Sequence, residues 1–314
     1  MNCLVIGGSG FIGTYLIEKL IKNGNNVVNF DLVSSRIENL QTIKGDIRNR
    51  SDLDKINFDI DCIYVLAAIH RDDIQDINEY YKTNFDGLNN IIDFCNSINI
   101  SEIIYYSSAA VYGDSFIDAQ ETDELSPDSH YGKSKVKAEN SLVKWVKQKD
   151  KRKLLIVRPS VVYGLGSNSN MNRLINYVIN NRFFIIGKGG NVKSTSYVKN
   201  LVDFTCYVKS KMNSQITVYN YSDFPQMTIR EVCDKISYTA KCRKVISVPY
   251  LFGYIFACFM DIISFILNKK LPISLVRINK SRTYTSLSTK KIEGLKYESR
   301  FNFNNAISEM IKYQ

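Results

Sequence analysis

The chain has 314 residues, 45% of them hydrophobic, and a formal net charge of +10 at pH 7 from 41 Lys and Arg against 31 Asp and Glu. That length and apolar content exclude a disordered chain and point to one large domain with a smaller region beside it. Seven scattered cysteines without a CxxC pair, and only two histidines, exclude a disulfide framework and leave no metal site to expect. The basic balance fits a polyanion, an anionic membrane surface or a diphosphate substrate, without choosing among them.

The first strand-like run, residues 2–6, starts at the N-terminus, so no signal peptide is expected and the location read from it is the cytoplasm or the inner face of a membrane. It breaks into Gly7-Gly8-Ser9-Gly10-Phe11-Ile12-Gly13, a glycine turn that leads into a helix. Such a turn sets backbone N–H groups and the positive helix end against a pyrophosphate, so Gly7, Gly10, Phe11, Ile12 and Gly13 are candidate dinucleotide contacts. The second strand, 27–31, ends on Asp31. An acid there bonds the adenosine ribose hydroxyls and repels a 2′-phosphate, which makes NAD rather than NADP the expected cofactor. Gly45-Asp46-Ile47-Arg48 follows a third candidate strand, where the adenine would lie; Asp46 as a plain turn residue is the competing reading.

Further strand candidates at 61–67, 102–107 and 153–158 alternate with helical stretches. The alternation predicts an α/β fold, a Rossmann-type doubly wound parallel sheet with helices on both faces. Ser107-Ser108-Ala109 ends the strand at 102–107, on the carboxyl edge where open α/β sheets bind ligands. Tyr131 and Lys135, four residues apart, fall on one helix face, so the ammonium is expected near the phenol, favouring its ionised form. A tyrosine so assisted is a base for a hydroxyl proton, with Ser108 placed to bridge phenol and substrate.

After Val162-Tyr163-Gly164 the text turns to Asn, Ser and Gly. Residues 1–165 are therefore expected to form the dinucleotide domain, with a return segment at about 192–220, while 166–191 and 221–314 form a smaller substrate-binding lobe. Within that lobe, 250–267 reads YLFGYIFACFMDIISFIL, with Lys241, Arg243 and Lys244 before it and Lys269 and Lys270 after it. On a helix, Gly253, Ala257, Asp261, Ser264 and Asn268 share one narrow stripe and large apolar residues fill the rest. The segment is short of the ~20 apolar residues of a spanning helix. A helix lying in the membrane interface is the favoured expectation, and a buried helix of the lobe the other.

With these motifs the chain resembles the extended short-chain dehydrogenase/reductases of the nucleotide-sugar epimerase/dehydratase type. GGSGFIG, Asp31, GDIR, LAAIH, SSAAVYG, YGKSK, RPSVVYG and GKGGNVKSTSYVKNL carry the likeness across nearly the whole chain. The resemblance implies Ser108, Tyr131 and Lys135 as the catalytic set, and Asp46, Ile47, Leu66, Ala67, Ala68 and Asn84 as cofactor-region residues. A narrower likeness, in AAIHRDD, Tyr80-Tyr81, Val218-Tyr219-Asn220-Tyr221 and Ser274-Leu275-Val276-Arg277-Ile278, is to epimerases of undecaprenyl-diphosphate-linked N-acetylglucosamine. It departs at Ser167-Asn168-Ser169-Asn170, where that group tends to carry arginines. It implies a lipid-linked sugar diphosphate as substrate, O-antigen assembly as the setting, the inner-membrane surface as partner, no nucleic acid, and room for a homodimer. His70, Asn170, Lys193 and Arg277, with Arg71 and Arg230, are candidates for sugar or diphosphate.

Three rival activities remain open at this point. A soluble UDP-sugar 4-epimerase would use the same catalytic residues; a 4-keto-6-deoxy nucleotide-sugar reductase would consume reduced cofactor; a 4,6-dehydratase would want acids after the strand-end serine, where this chain has Ala109-Ala110. A catalytically silent NAD-binding scaffold would have no use for Ser108, Tyr131 and Lys135 together.

Overall fold

The computed structural model describes residues 1–70, 74–267 and 275–313. Strand β1 (Asn2–Ile6) passes through the glycine turn into α1 (Phe11–Lys22), followed by β2 (Asn26–Asp31), β3 (Thr42–Lys44), α2 (Arg50–Leu53) and β4 (Cys62–Val65). Then come α3 (Asn78–Tyr81), a π-helical turn at Lys82–Asp86, α4 (Gly87–Ser97), β5 (Glu102–Tyr106), a 3₁₀ turn at Ala109–Tyr112, β6 (Phe116–Ala119) and α5 (His130–Lys147). The middle of the chain holds β7 (Lys153–Pro159), β8 (Val161–Tyr163), α6 (Asn170–Ile179), β9 (Ile185–Ile186), β10 (Thr195–Tyr197), α7 (Val198–Lys209), β11 (Ile216–Tyr221) and α8 (Ile229–Thr239). It closes with β12 (Ser247–Val248), α9 (Tyr250–Ile266), α10 (Leu275–Arg282), β13 (Thr285–Leu287), α11 (Lys290–Glu293) and α12 (Phe303–Lys312).

Seven strands form one parallel sheet in the order β11-β7-β5-β4-β1-β2-β3. Both faces of each central strand are apolar, which is why these segments read as continuous hydrophobic runs. In β1, Leu4 and Ile6 pack with Ile91 and Phe94 of α4 and Leu142 and Trp145 of α5, while Cys3 and Val5 pack with Leu16 and Leu20 of α1 and Leu201 and Phe204 of α7. The strand order reverses between β1 and β4, so the loops after these two strands open onto the crevice where this architecture binds ligands.

The smaller lobe has its own core, in which Ile175 and Val178 of α6, Val232 and Ile236 of α8, and Ala306, Ile307 and Met310 of α12 meet Tyr163 and Tyr197. Two exchanges blur the boundary read from sequence. Strand β6 pairs with β13, and Ile292 and Tyr297, from the stretch expected in the lobe, pack in the core of the large sheet beside Phe204. Both are short apolar pieces whose partners lie over 80 residues away, beyond the reach of local periodicity.

Helix α9 turns its small-residue stripe inward: Gly253 and Ala257 are buried, Asp261 and Ser264 half-buried, and Asn268 lies outside the described residues. A Cβ on Gly253 would stand 2.8 Å from Ile186 Cγ2, so glycine allows the helix to lie directly on β9. Leu251, Phe252, Ile255, Phe256, Phe259 and Ile262 are 46–66% exposed. Asp261 Oδ2 accepts the Leu275 N–H at 3.0 Å and so caps the start of α10. Among the described residues no helix is long and apolar enough to cross a membrane.

Candidate active site

The glycine turn has the form a dinucleotide requires. Gly7 has φ +85°, and a Cβ there would lie 2.4 Å from Ala67 N; a Cβ on Gly13 would lie 2.6 Å from Gly7 O. Only glycine lets the turn pass so close to the loop after β4 and to itself. Helix α1 starts at Gly10 with no side-chain cap and no acid in its first turn, so the N–H groups of Phe11, Ile12 and Gly13 and the positive helix end are left for a pyrophosphate. Asp31 stands at the end of β2, its Oδ2 accepting from Ser9 N at 3.0 Å and its Oδ1 from Val33 N at 3.3 Å. The same loop is braced by Asn29, fully buried, whose Nδ2 donates to Ser9 Oγ at 2.9 Å and Thr42 Oγ1 at 3.2 Å.

Asp46 is engaged within its own turn, its Oδ1 accepting from Arg48 N at 2.9 Å. The Arg48 side chain grips both of its carboxylate oxygens (2.6–3.0 Å), reaches on to Glu79 at 2.9 Å, and holds the carboxyl below the usual range. Ile47 is buried, its side chain lying where a Cβ on Gly87 would meet it at 2.8 Å. Past β4, Leu66 N and Ala67 N donate to Ile6 O at 2.8 and 3.0 Å, and Leu66, Ala67 and Ala68 stay half-buried beside the glycine turn.

Asn84 sits in the π-helical turn, buried, with its amide committed inside the protein: Oδ1 accepts from Ile69 N at 2.8 Å, and Nδ2 donates to Ile69 O and to Ser134 Oγ, each at 2.9 Å. Ser134 Oγ in turn donates to Tyr131 O at 2.7 Å. Asn84 therefore fastens the loop after β4 to helix α5.

Ser129 caps α5 by accepting from Gly132 N at 3.1 Å, so the helix starts just before Tyr131. Tyr131 meets Ser108, which leaves β5 at the head of the 3₁₀ turn with its Oγ accepting from Ala110 N at 3.1 Å. Lys135 is buried; its Nζ donates to Tyr106 O at 2.8 Å, lies 4.6 Å from the Tyr105 ring centre and 6.0 Å from that of Tyr131.

The Lys135 ammonium stands near the Tyr131 ring without bonding the phenol oxygen. Burial pushes the Tyr131 phenol up to about 12, against a smaller lowering from its bond to Ser108. Burial likewise pulls Lys135 down to about 7, partly offset by Glu139. Desolvation disfavours both charged forms, and the lysine points its proton at a backbone carbonyl rather than at the phenol.

The sequence of residues 3–221 matches the model of the NAD dependent epimerase/dehydratase family. The chain belongs to that family. It is an NAD-dependent enzyme. A relative from Escherichia coli O157:H7, N-acetyl-alpha-D-glucosaminyl-diphospho-ditrans,octacis-undecaprenol 4-epimerase, is 32% identical over all of this chain and 95% of its own. UDP-glucose 4-epimerase of Lactobacillus helveticus is 26% identical over 81% of this chain and 84% of its own. Among solved structures, UDP-glucose 4-epimerase of Thermus thermophilus in complex with NAD superposes with a TM-score of 0.77 at 19% identity, covering 100% of this chain and 98% of that one. UDP-N-acetylglucosamine 4-epimerase from Bacillus cereus gives 0.75 at 21%, covering 100% and 96%. At these identities the two structures share the fold.

The substrate candidates are less convergent than the family's core motifs. His70 is exposed on the loop after β4, and Asn170 is exposed at the first position of α6. Lys193 Nζ donates to Thr283 Oγ1 at 3.2 Å. Arg230 bonds locally to Val245 O at 2.7 Å and to Ser247 Oγ, with Asp234 at 3.8 Å. Arg277 lies on α10 with its side chain outside those described, and Arg71 lies outside the described residues. Sequence reasoning passed over Asn29, Ser129 and Ser134; only Ser129, a serine just before a helical run, carried a local signal.

Proposed function

We propose that the enzyme inverts C4 of an N-acetylhexosamine carried on a polyprenyl diphosphate, converting the gluco to the galacto form for surface-polysaccharide assembly, as a peripheral protein on the inner face of the membrane. Bound NAD supplies the hydride acceptor and donor for C4 and, when oxidised, the positive charge that a buried phenol needs in order to ionise. Tyr131 takes the C4 hydroxyl proton and, once the 4-keto sugar has turned its other face toward the cofactor, returns it to the same oxygen. Ser108 Oγ, bonded to the phenol, orients the hydroxyl between them, and Lys135 holds its ammonium under the Tyr131 and Tyr105 rings. No acid follows Ser108 to assist a 4,6-elimination.

The observation that carries the lipid-linked reading is the outward face of α9. Its six large apolar side chains present on the order of 700 Å² of surface, above the largest patch usual on a soluble monomer. Exposed Lys241, Arg243, Lys244 and Arg282 lie close to it in sequence or contact, Arg282 stacking on Tyr250 at 4.3 Å. Basic groups beside an apolar face suit an anionic bilayer interface. Asp261 is turned to α10, where it accepts the Leu275 N–H. The whole-chain likeness to the E. coli relative supports the same substrate class. Likeness to UDP-sugar 4-epimerases favours the second reading, a UDP-N-acetylglucosamine or UDP-glucose 4-epimerase with identical proton chemistry.

Incubation with a trace of NAD and a large excess of N-acetylglucosaminyl diphosphate substrate tests the reaction class. Conversion of many substrate equivalents per NAD, with no net NADH signal in the near ultraviolet, is expected. One NADH formed or consumed per product would make the enzyme a dehydrogenase or reductase instead.

A further inference from the structure

Glu139 lies one turn beyond Lys135 on α5, and both are buried. Its carboxylate meets Arg158 of β7 in a two-point pair, Nε to Oε1 at 3.0 Å and Nη2 to Oε2 at 2.6 Å. The remaining arm of Arg158, Nη1, donates to Tyr112 Oη at 2.7 Å and to Glu121 O at 3.4 Å. Tyr112 ends the 3₁₀ turn that Ser108 begins, and its hydroxyl donates to Asn220 Oδ1 of β11 at 2.8 Å. Asn220 donates through Nδ2 to Ala119 O of β6 at 2.9 Å and through its backbone N–H to Glu121 Oε1 at 2.9 Å. Strand β6 is the one that pairs with β13 at the lobe.

We propose that Glu139, Arg158, Tyr112 and Asn220 form a positioning network, which fixes the Ser108 turn against the Tyr131 and Lys135 helix and ties that cluster to the β6–β13 pair of the substrate lobe. It rests on the assignment of Ser108, Tyr131 and Lys135 to the chemistry. The chain of bonds joins the turn that carries Ser108 to the helix that carries Tyr131 and Lys135. A buried ion pair of this kind contributes little net stability compared with an apolar pair, so its worth lies in fixing geometry. Glu139 also has an electrostatic role. Lys135 faces the Tyr131 ring and Glu139 on its own helix and Tyr105 and the Tyr106 carbonyl on β5; Glu139 is the negative side chain among these, with Arg158 behind it.

The two ends of the network separate in variants. Glu139→Gln keeps the shape but removes the charge that partly offsets the desolvation of Lys135 and leaves Arg158 uncompensated. Its kcat should fall roughly tenfold, as expected for a small misplacement of reacting groups, and the alkaline limb of its pH–kcat profile should move to lower pH, with KM nearly unchanged. Tyr112→Phe removes the hydroxyl that accepts from Arg158 and donates to Asn220 and leaves the Glu139 charge in place, so its kcat should fall with the pH profile unmoved and NAD affinity retained. Tyr131→Phe runs beside them: if that variant is active, the catalytic assignment itself fails. With Tyr131→Phe inactive, wild-type kcat and pH profile in Tyr112→Phe and Glu139→Gln overturn the network, as does a loss of melting temperature with kcat preserved. Should Glu139→Gln not fold, Tyr112→Phe decides alone by its kcat.

Discussion

Replacing Phe252, Phe256 and Phe259 of α9 with Ser is expected to release the protein from anionic bilayers while leaving it folded. The three rings are 66%, 46% and 59% exposed, so each has about half its apolar surface to give to lipid. Full burial of a Phe side chain stabilises by ~1.5–3 kcal/mol, which over these exposed fractions comes to about 3–5 kcal/mol for the three. A helix at headgroup depth takes up only part of that, leaving roughly 1.5–2.5 kcal/mol. At 1.4 kcal/mol per tenfold, partitioning should weaken by about 10- to 60-fold. Helix propensity costs no more than ~0.5 kcal/mol per Ser at such exposed sites, so the circular dichroism spectrum should be unchanged. The assay is sedimentation with sucrose-loaded vesicles containing anionic lipid, titrated in lipid. High salt should loosen wild-type binding only partly, by screening Lys241, Arg243 and Lys244 and leaving the apolar contribution. Wild-type protein that stays in the supernatant, or a triple variant that pellets as well as wild type, would refute the assignment of this face to a membrane.

Tyr131→Phe should lose about 10²- to 10⁴-fold in turnover, the usual effect of removing a general base, with NAD still bound in a fluorescence titration. Lys135→Met should lose activity and cofactor affinity together; retention of both would remove Lys135 from the site. The same variant has a signature in cofactor-free stability. A lysine whose folded pKa is depressed to about 7 binds fewer protons folded than unfolded between there and its ordinary value near 10.5, so wild-type stability rises with pH across that window. Melting curves should therefore show Lys135→Met more stable than wild type at or below about pH 7, with the difference narrowing as pH rises to about 9; a difference that widens would contradict the buried-lysine assignment. Asp31→Ala should narrow the preference for NAD over NADP by relieving repulsion of a 2′-phosphate, and equal binding of the two cofactors by wild type in direct titration would show that Asp31 does not face the ribose.

The sheet was legible because its signals are local. Runs such as Cys3-Leu4-Val5-Ile6 are apolar on both faces, and the glycine turn needs no distant partner to be recognised. Tyr131 and Lys135 share a helix face as their spacing requires, yet what surrounds them was not readable: the lysine's acceptor is a carbonyl of β5, and burial, a tertiary property, sets both groups' protonation. Glu139 stands at the same four-residue interval from Lys135, but its significance depends on Arg158, 19 residues on, and on Tyr112. Asp261 illustrates the converse. Its place in the small-residue stripe was visible in the helical pattern, and the structure adds that the stripe faces the protein and that the carboxylate caps a second helix. Arg230 read as a spare cation because nothing local announces that Val245 and Ser247 fold back onto it.

Lipid-linked and nucleotide-linked substrates share the sugar and the diphosphate, so supplying both in parallel isolates the carrier. Purified protein with NAD is given polyprenyl-diphosphate-linked N-acetylglucosamine in one reaction and UDP-N-acetylglucosamine in another, and the released sugars are resolved after mild acid hydrolysis. N-acetylgalactosamine is expected from the lipid-linked substrate, with little or none from the nucleotide. Efficient epimerisation of UDP-N-acetylglucosamine with no product from the lipid would contradict the lipid-linked reading and make this chain a nucleotide-sugar 4-epimerase.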